Sequence, residues 1–545
     1  MTGRPFFRLG FLLPLITAIF IVPWTPLAAE EEPVAVAKEM TVDEKINEAV
    51  SPYTDAISKV VFVPVWKGTV GEGDSEVDLE IPFVLLWLGG AAIFLTIFFK
   101  FINFRAFGLA LKTVRGKYSK PDDPGEISHF QALTAAVSGT VGLGNIAGVA
   151  IAISVGGPGA AFWMVVMGLL GMSSKFAECT LGVKYRQIDK DGKVHGGPMH
   201  YLTRGFAERG LGPLGKTLAV FFGVCCVGAS FGGGNMFQIN QATSQLVSVT
   251  GGAEGWVGEN RWLVGLGVAV LVALVIIGGI SRIGKITSTL VPAMTVLYII
   301  GAFIVLGSNF DKIGSSFGLI FEGAFNGEAM AGGLIGTLLQ GIRRAAFSNE
   351  AGIGSAPIAH AAVKTRYAAS EGLVALLEPF IDTVIICTMT ALVVIVTGGY
   401  LDKEAGDGIT ITSASFGSVV PWFSYVLSVA VILFALSTLI TWSYYGLQAW
   451  KFLFGKSHAS DLSFKLLFCI VIILGAAMSP GKVIDFSDAM LFSMSFANLI
   501  GVYLLLPVIK KELKKFQLFA HRVDSGESIE MADEHVKSNL PERGA

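Results

Sequence analysis

Charge is scarce in this chain. Asp, Glu, Lys and Arg make up 15% of the 545 residues, against roughly 25% in soluble domains. The formal net charge is −2. No basic stripe interleaved with aromatics appears, which excludes a nucleic-acid partner. Cysteine is also sparse. Cys179, Cys225, Cys226, Cys387 and Cys469 fall in or beside apolar runs and lack metal-ligand spacing, so they read as small apolar residues. With no metal-ligand cluster and no paired His and Asp on a span, nothing favours an enzyme. No cofactor or obligate protein partner is implied. What is present is apolar: 52% of residues are hydrophobic, in runs near the ~20 residues that cross a bilayer. The expected class is an all-α polytopic membrane protein whose main partner is lipid.

Arg4 and Arg8, the apolar run Leu9 to Val22 and the small pair Ala28 and Ala29 make residues 1–29 signal-like, either cleaved or kept as a first helix. Residues 30–80 then form an extracytoplasmic segment, in which Glu44 to Lys59 has the pattern of a short amphipathic helix. About eleven spans follow, near 81–103, 128–154, 158–183, 214–249, 262–280, 286–307, 329–363, 368–397, 418–447, 463–479 and 486–508, with a tail at 509–545. Lys and Arg alternate between loops. They are dense at Lys100 to Lys120, Lys184 to Lys216, Arg282 with Lys285, Lys364 with Arg366, Lys451 with Lys456, and Lys510 to Lys515. By the positive-inside rule the mature N-terminus lies outside and the C-terminus in the cytoplasm.

Two spans carry matching interruptions, Ser138-Gly139-Thr140-Val141-Gly142-Leu143-Gly144-Asn145 and Ser348-Asn349-Glu350-Ala351-Gly352-Ile353-Gly354-Ser355. Unwound backbone at membrane depth persists only inside protein or against a ligand cavity. Paired breaks in two halves of a chain point to a transporter's binding site. The orientation makes the halves an inverted repeat, 128–307 and 329–508, behind a leading helix at 81–103. An interrupted helix offers amides at one new end and carbonyls at the other. Amides of Gly142, Gly144 and Asn145 suit a substrate carboxylate. Carbonyls of Ser138 and Val141 suit sodium, with side-chain oxygens from Thr140 and Asn145. A zwitterion beside a sodium ion fits this pattern; close helix packing through small residues is the competing reading. A nucleotide loop is excluded here, because Gly142-x-Gly144-x-x-x-Gly148 has the wrong spacing.

Asn235, Gln238, Asn240 and Gln241 follow the glycines at 232–234 and either bind helices together or face a site. Ser437 and Thr438 form a hydroxyl pair. Arg343, Arg344, Glu350, Glu378 and Asp382 are charges in or near spans, expected to pair or to gate. Glu378 and Asp382 share a helix face, with Arg343 or Arg344 as the expected partners. His129 and His360 stand near helix ends and read as surface or capping residues.

Taken together, Ser128 to Leu133, Gly139 to Gly148, Gly156 to Ala160, Gly196 to Met199, Phe347 to Pro357 and Trp442 to Gly446 resemble the alanine/glycine:sodium symporter family over roughly 80–510. The resemblance implies a leucine-transporter-like five-plus-five bundle. It implies substrate contacts at Thr140, Gly142, Gly144 and Asn145, extended to Gln238 and, at the second break, to Asn349 and Gly352. It also implies a sodium site from Ser138, Val141, Ser437 and Thr438. The expected function is symport of small neutral amino acids, alanine or glycine, with Na+ as coupling ion, in a bacterial inner membrane. Proton coupling through Glu350, Glu378 or Asp382 is the alternative, and a channel is a further rival.

Overall fold

The computed structural model describes residues 42–70, 77–325, 333–402 and 408–539; the signal-like segment 1–29 lies outside them, as do Lys403, Glu404 and Asp407. Helices dominate. Sheet among the described residues is confined to two short antiparallel hairpins, one pairing Pro64–Val70 with Val77–Pro82. Seven helices are long and apolar enough to cross a membrane, or eight if one bent pair counts as a span. Three of the eleven expected spans miss that measure. Phe83–Phe98 and Arg261–Ile276 are apolar but have only 16 residues each, and Gly333–Asn349 has 17, two of them arginines. Helices outside the expected spans include Phe107–Val114, Pro198–Ala207, the mostly exposed Phe310–Phe325, Ile409–Gly417 and, near the end of the chain, Ile529–Asn539. The amphipathic segment near the start is helical over Val42–Val61.

The bent pair is the first interrupted helix, His129–Thr140 and Gly144–Gly156, with a turn of 54° between its halves. A capping box starts it: the Gln131 amide donates to Ser128 Oγ at 3.2 Å, and the Ser128 amide donates to Gln131 Oε1 at 3.1 Å. The second interrupted helix runs Gly333–Asn349, opens at Glu350 to Ser355, and resumes for the five residues Ala356–His360. Glu350, Gly352 and Gly354 adopt φ of 56°, 88° and 92°, so this break is a stretch of left-handed backbone that glycine tolerates.

Glycines set the packing. Gly168, Gly171 and Gly182 on the helix Gly159–Lys184 lie against Thr383, Ala351 and Pro357, where an added methyl group would overlap the neighbour. Small residues let helix backbones approach in lipid, where no hydrophobic force drives them together. That helix is thereby pressed onto the second break and onto the helix Ala368–Thr397. Its buried polar side chains consequently face the same interior.

The final long helix, Pro480–Asp524, has 45 residues, about 68 Å at 1.5 Å per residue, more than twice a bilayer's hydrocarbon core. Its far end leaves the bundle at the Lys/Arg-rich face. Asp524 there accepts from Lys112 at 2.8 Å and Tyr118 Oη at 2.9 Å. Within the bundle Asp488 takes Arg343 at 2.7 Å and Arg344 at 2.6 Å, so the two arginines pair with this helix and not with Glu378 or Asp382. The expectation missed because Asp488 lies far along the chain and shares no helical spacing with them.

Removing Asp488 strands two guanidinium groups, one of them buried. Asp488→Ala should therefore cost about 3–5 kcal/mol. Arg343→Ala, on the more exposed partner, should cost about 1 kcal/mol or less. Thermal unfolding in detergent measures the difference.

Candidate functional site

At the first break the chain leaves helical geometry at Val141, with ψ of 88°. The backbone groups freed there find partners from distant elements. The Gly142 amide donates to Asn145 Oδ1 at 2.9 Å and the Leu143 amide to Gln238 Oε1 at 2.9 Å. The Ser138 carbonyl accepts from Thr438 Oγ1 at 3.1 Å, and Ser138 Oγ donates to the Ser437 carbonyl at 2.8 Å. The Gly139 carbonyl accepts from Trp442 Nε1 at 3.3 Å. Thr140 turns its hydroxyl back onto its own helix, at 3.3 Å from the Val137 carbonyl. A side chain at Gly142 would collide with Thr438 and Gln238, and one at Gly144 would press on Phe347. The glycines are thus required by close approach on both sides of the break.

Asn145 links this break to a carboxylate. Its Nδ2 donates to Asp382 Oδ1 at 2.6 Å. Asp382 Oδ2 accepts from Ser348 Oγ at 2.8 Å and Thr383 Oγ1 at 2.7 Å. Ser348 belongs to the last turn before the second break, so Asp382 connects both interruptions. Asp382 has 0% exposure and no ion pair among the described residues. Every group that touches it is neutral. The surrounding helices are locally widened: Gly144–Gly148, Gly232–Met236 and Phe380–Cys387 are all π-helical, a distortion that gathers at functional sites.

The second break joins a different set of residues. The Gly352 carbonyl accepts from Asn498 Nδ2 at 2.8 Å, and the same amide donates to Glu178 at 2.7 Å. Asn349 Nδ2 donates to Thr383 Oγ1 at 2.9 Å. Glu350 accepts from Trp442 Nε1 at 3.1 Å and from Ser355 Oγ. Glu378 lies 3.1 Å from the buried Lys175 and also contacts His360.

The structure therefore brings Ser138 against Ser437 and Thr438, Gly142 against both Thr438 and Gln238, and Gly144 against Phe347 and Ser348, with Asn145 on the Gly142 amide; Val141 is the corner at which the helix unwinds. Asn349 and Gly352 sit apart from these, against Thr383 and Asn498. His129 and His360 are 3% and 0% exposed and contact Glu371; they are interior residues, not the surface or capping residues expected. Lys175, Glu371 and Asp488 escaped the sequence reading, while Ser348 and Trp442 were named there only as members of motifs, without a role. Lys175 was the most findable, as a lone lysine within an apolar span. Gly210 to Thr217 also spells a phosphate-loop string, but it opens the helix Gly212–Phe231 after another helix, without the strand such a loop requires.

Comparison with known proteins agrees with this architecture. The sodium:alanine symporter family matches residues 74–529. The sodium/alanine symporter AgcS of Methanococcus maripaludis is 40% identical over 441 residues, covering 80% of this chain and 94% of that protein. A probable sodium/glutamine symporter of Bacillus subtilis, GlnT, is 35% identical over 427 residues, covering 78% of this chain and 85% of its own length. The crystal structure of MhsT in complex with L-phenylalanine superposes with a TM-score of 0.51 at 15% identity, covering 70% of this chain and 89% of MhsT, which establishes a shared fold. The chain belongs to the sodium:alanine symporter family.

Proposed function

We propose that this sodium-coupled symporter carries alanine and glycine, by alternating access around the first break. The observation that supports this reading most is Asp382: a buried carboxylate whose hydrogen-bond partners are all neutral, joined to Asn145 at one interruption and Ser348 at the other. Unpaired buried charge costs several kcal/mol, so this carboxylate calls for a cation. The ammonium of an amino acid, with its own carboxylate on the amides of Gly142 to Asn145, meets that demand. Substrate contacts are assigned to Thr140, Gly142, Gly144, Asn145 and Gln238, with Asn349 and Gly352 shaping the second break. Sodium is assigned to the Ser138 and Val141 carbonyls with Ser437 and Thr438, where hard oxygens from two helices meet. Crowding of the break by Phe347, Gln238 and Thr438 favours a small side chain.

Two inverted five-helix halves, 128–307 and 329–508, then rock about the site. The basic loops face the cytoplasm of a bacterium, the C-terminal tail with them, and the membrane is the inner one. Sodium entering at about 100 mV contributes roughly 2.3 kcal/mol, enough for somewhat under a hundredfold accumulation from voltage alone.

Labelled alanine, glycine, serine and leucine offered to proteoliposomes, with and without a sodium gradient, test the reading. Alanine and glycine should accumulate only with the gradient; leucine uptake, or uptake indifferent to sodium, contradicts it. Asn145→Ala should lower sodium-driven alanine uptake more than about tenfold, a loss of over 1.4 kcal/mol, while the protein still elutes as a folded species. Thr438→Ala should raise the sodium concentration for half-maximal uptake about tenfold with the alanine preference intact. Unchanged sodium dependence removes Thr438 from the ion site.

A further inference from the structure

Between the first break and the Lys/Arg-rich face lies a second polar interior that the binding chemistry does not use. Glu371 contacts His129, at the start of the first interrupted helix, and stands 2.5 Å from His360 Nδ1. The other nitrogen of His360 contacts Glu378, which lies 3.1 Å from Lys175 Nζ. Glu178 and Glu350 border Lys175 in the same interior, held by Asn498 and by Trp442 and Ser355. All seven ionisable side chains are at most 3% exposed. Glu178 Oε2 has no hydrogen-bond partner among the described residues, and Lys175 Nζ and Glu378 Oε2 have none besides each other. They come from four segments: the helix Gly159–Lys184, both interrupted helices, and the helix Ala368–Thr397.

Charge balance fixes what this cluster must hold. Four carboxyl groups face one lysine and two histidines. Even with both histidines charged, one negative charge is in excess. Asp382 belongs to the first break and is not counted, and Arg186, only partly buried at the edge of the cluster, spends its guanidinium on the carbonyls of Pro124, Ala361, Val363 and Thr365, where solvent screens its charge. Cys179 adds only a thiol. An unmatched charge at this depth costs several kcal/mol, so the closed cluster keeps a proton on a carboxyl group. The His–Glu–His–Glu contacts give that proton several sites to occupy.

The same contacts close the path from the basic face. Beside His129, the Glu126 amide donates to the Ala362 carbonyl and the Lys364 amide to the Ile127 carbonyl, each at 2.7 Å. Moving the half-helix His129–Thr140 about its break separates His129 from Glu371 and brings water to His360 and Glu378. In water the need for neutrality ends, and the cluster holds fewer protons.

We infer that the His129–Glu371–His360–Glu378–Lys175 cluster is a proton-binding site that locks the cytoplasmic gate, taking up a proton on closure and releasing it to the cytoplasm on opening. The inference rests on the alternating-access reading above. Its sign follows from linkage: the closed state binds more protons, so cytoplasmic acid favours closure. Each proton released shifts the closed–open ratio about tenfold per pH unit.

The test uses full-length protein in oriented proteoliposomes with clamped voltage and a fixed sodium gradient. Lowering pH on the cytoplasmic side from about 8 to about 6, across the range where histidine titrates, should slow sodium-driven alanine uptake at least about fivefold. The same change on the other side should have little effect. Glu371→Gln should flatten the cytoplasmic-side dependence. Spin labels at Phe130 and Lys190, both exposed, in protein with its native cysteines replaced, read the gate without transport. Their longer-distance population should grow from acid to alkaline pH and respond less in Glu371→Gln. Uptake and distances both indifferent to cytoplasmic-side pH overturn the inference, as does equal sensitivity from the two sides. Distances that respond to pH in protein lacking sodium-driven uptake would leave the lock standing and remove the symport reading.

Discussion

Everything in this fold turns on peptide groups that lipid cannot satisfy. At Gly142 and Leu143 the amides give up helical hydrogen bonds for side-chain partners in the middle of an apolar bundle. An unsatisfied backbone group there costs several kcal/mol, so partners must be brought from elsewhere in the chain. Gln238 reaches the Leu143 amide from nearly a hundred residues away, and Thr438 reaches the Ser138 carbonyl from three hundred. Each partner imposes a contact between helices, and those contacts define the bundle's centre. A site made this way is polar but poor in fixed charge, which suits a solute that brings both signs and a monovalent ion beside it.

Asp382 is the exception to that neutrality, and its place explains why. It stands where the first interruption, through Asn145, meets the second, through Ser348. A lysine or arginine at that point would fill the site permanently. Neutral donors hold the carboxylate in position and leave its charge to be matched from outside the chain. Toward the basic face the design reverses. There Glu178, Glu350, Glu371 and Glu378 face Lys175, His129 and His360, and on the inference above a proton, not a transported ion, makes up the difference.

Much of this was legible in the chain itself. Glycine pairs flanked by polar residues announced both breaks, because nothing else tolerates unwinding at membrane depth. The convergence of Ser138 with Ser437 and Thr438 was also within reach, since a sodium ion needs oxygens from more than one helix. The pairing of charges was not. Helical spacing placed Glu378 and Asp382 on one face, yet Asp382 went to Asn145, Glu378 to His360 and Lys175, and the arginines to Asp488. Which charge meets which is decided by how helices pack, and that is set by glycines such as Gly168 and Gly171 that carry no sign of their partners.

The central claim is that the first break receives the amino acid. An experimentally determined structure with alanine and sodium bound tests it most directly. The account predicts density for the alanine carboxylate within about 3 Å of the Gly142 to Asn145 amides, its ammonium toward Asp382, and an ion among Ser138, Val141, Ser437 and Thr438. Alanine bound elsewhere, with the break still closed by Asn145 and Gln238 alone, would contradict it.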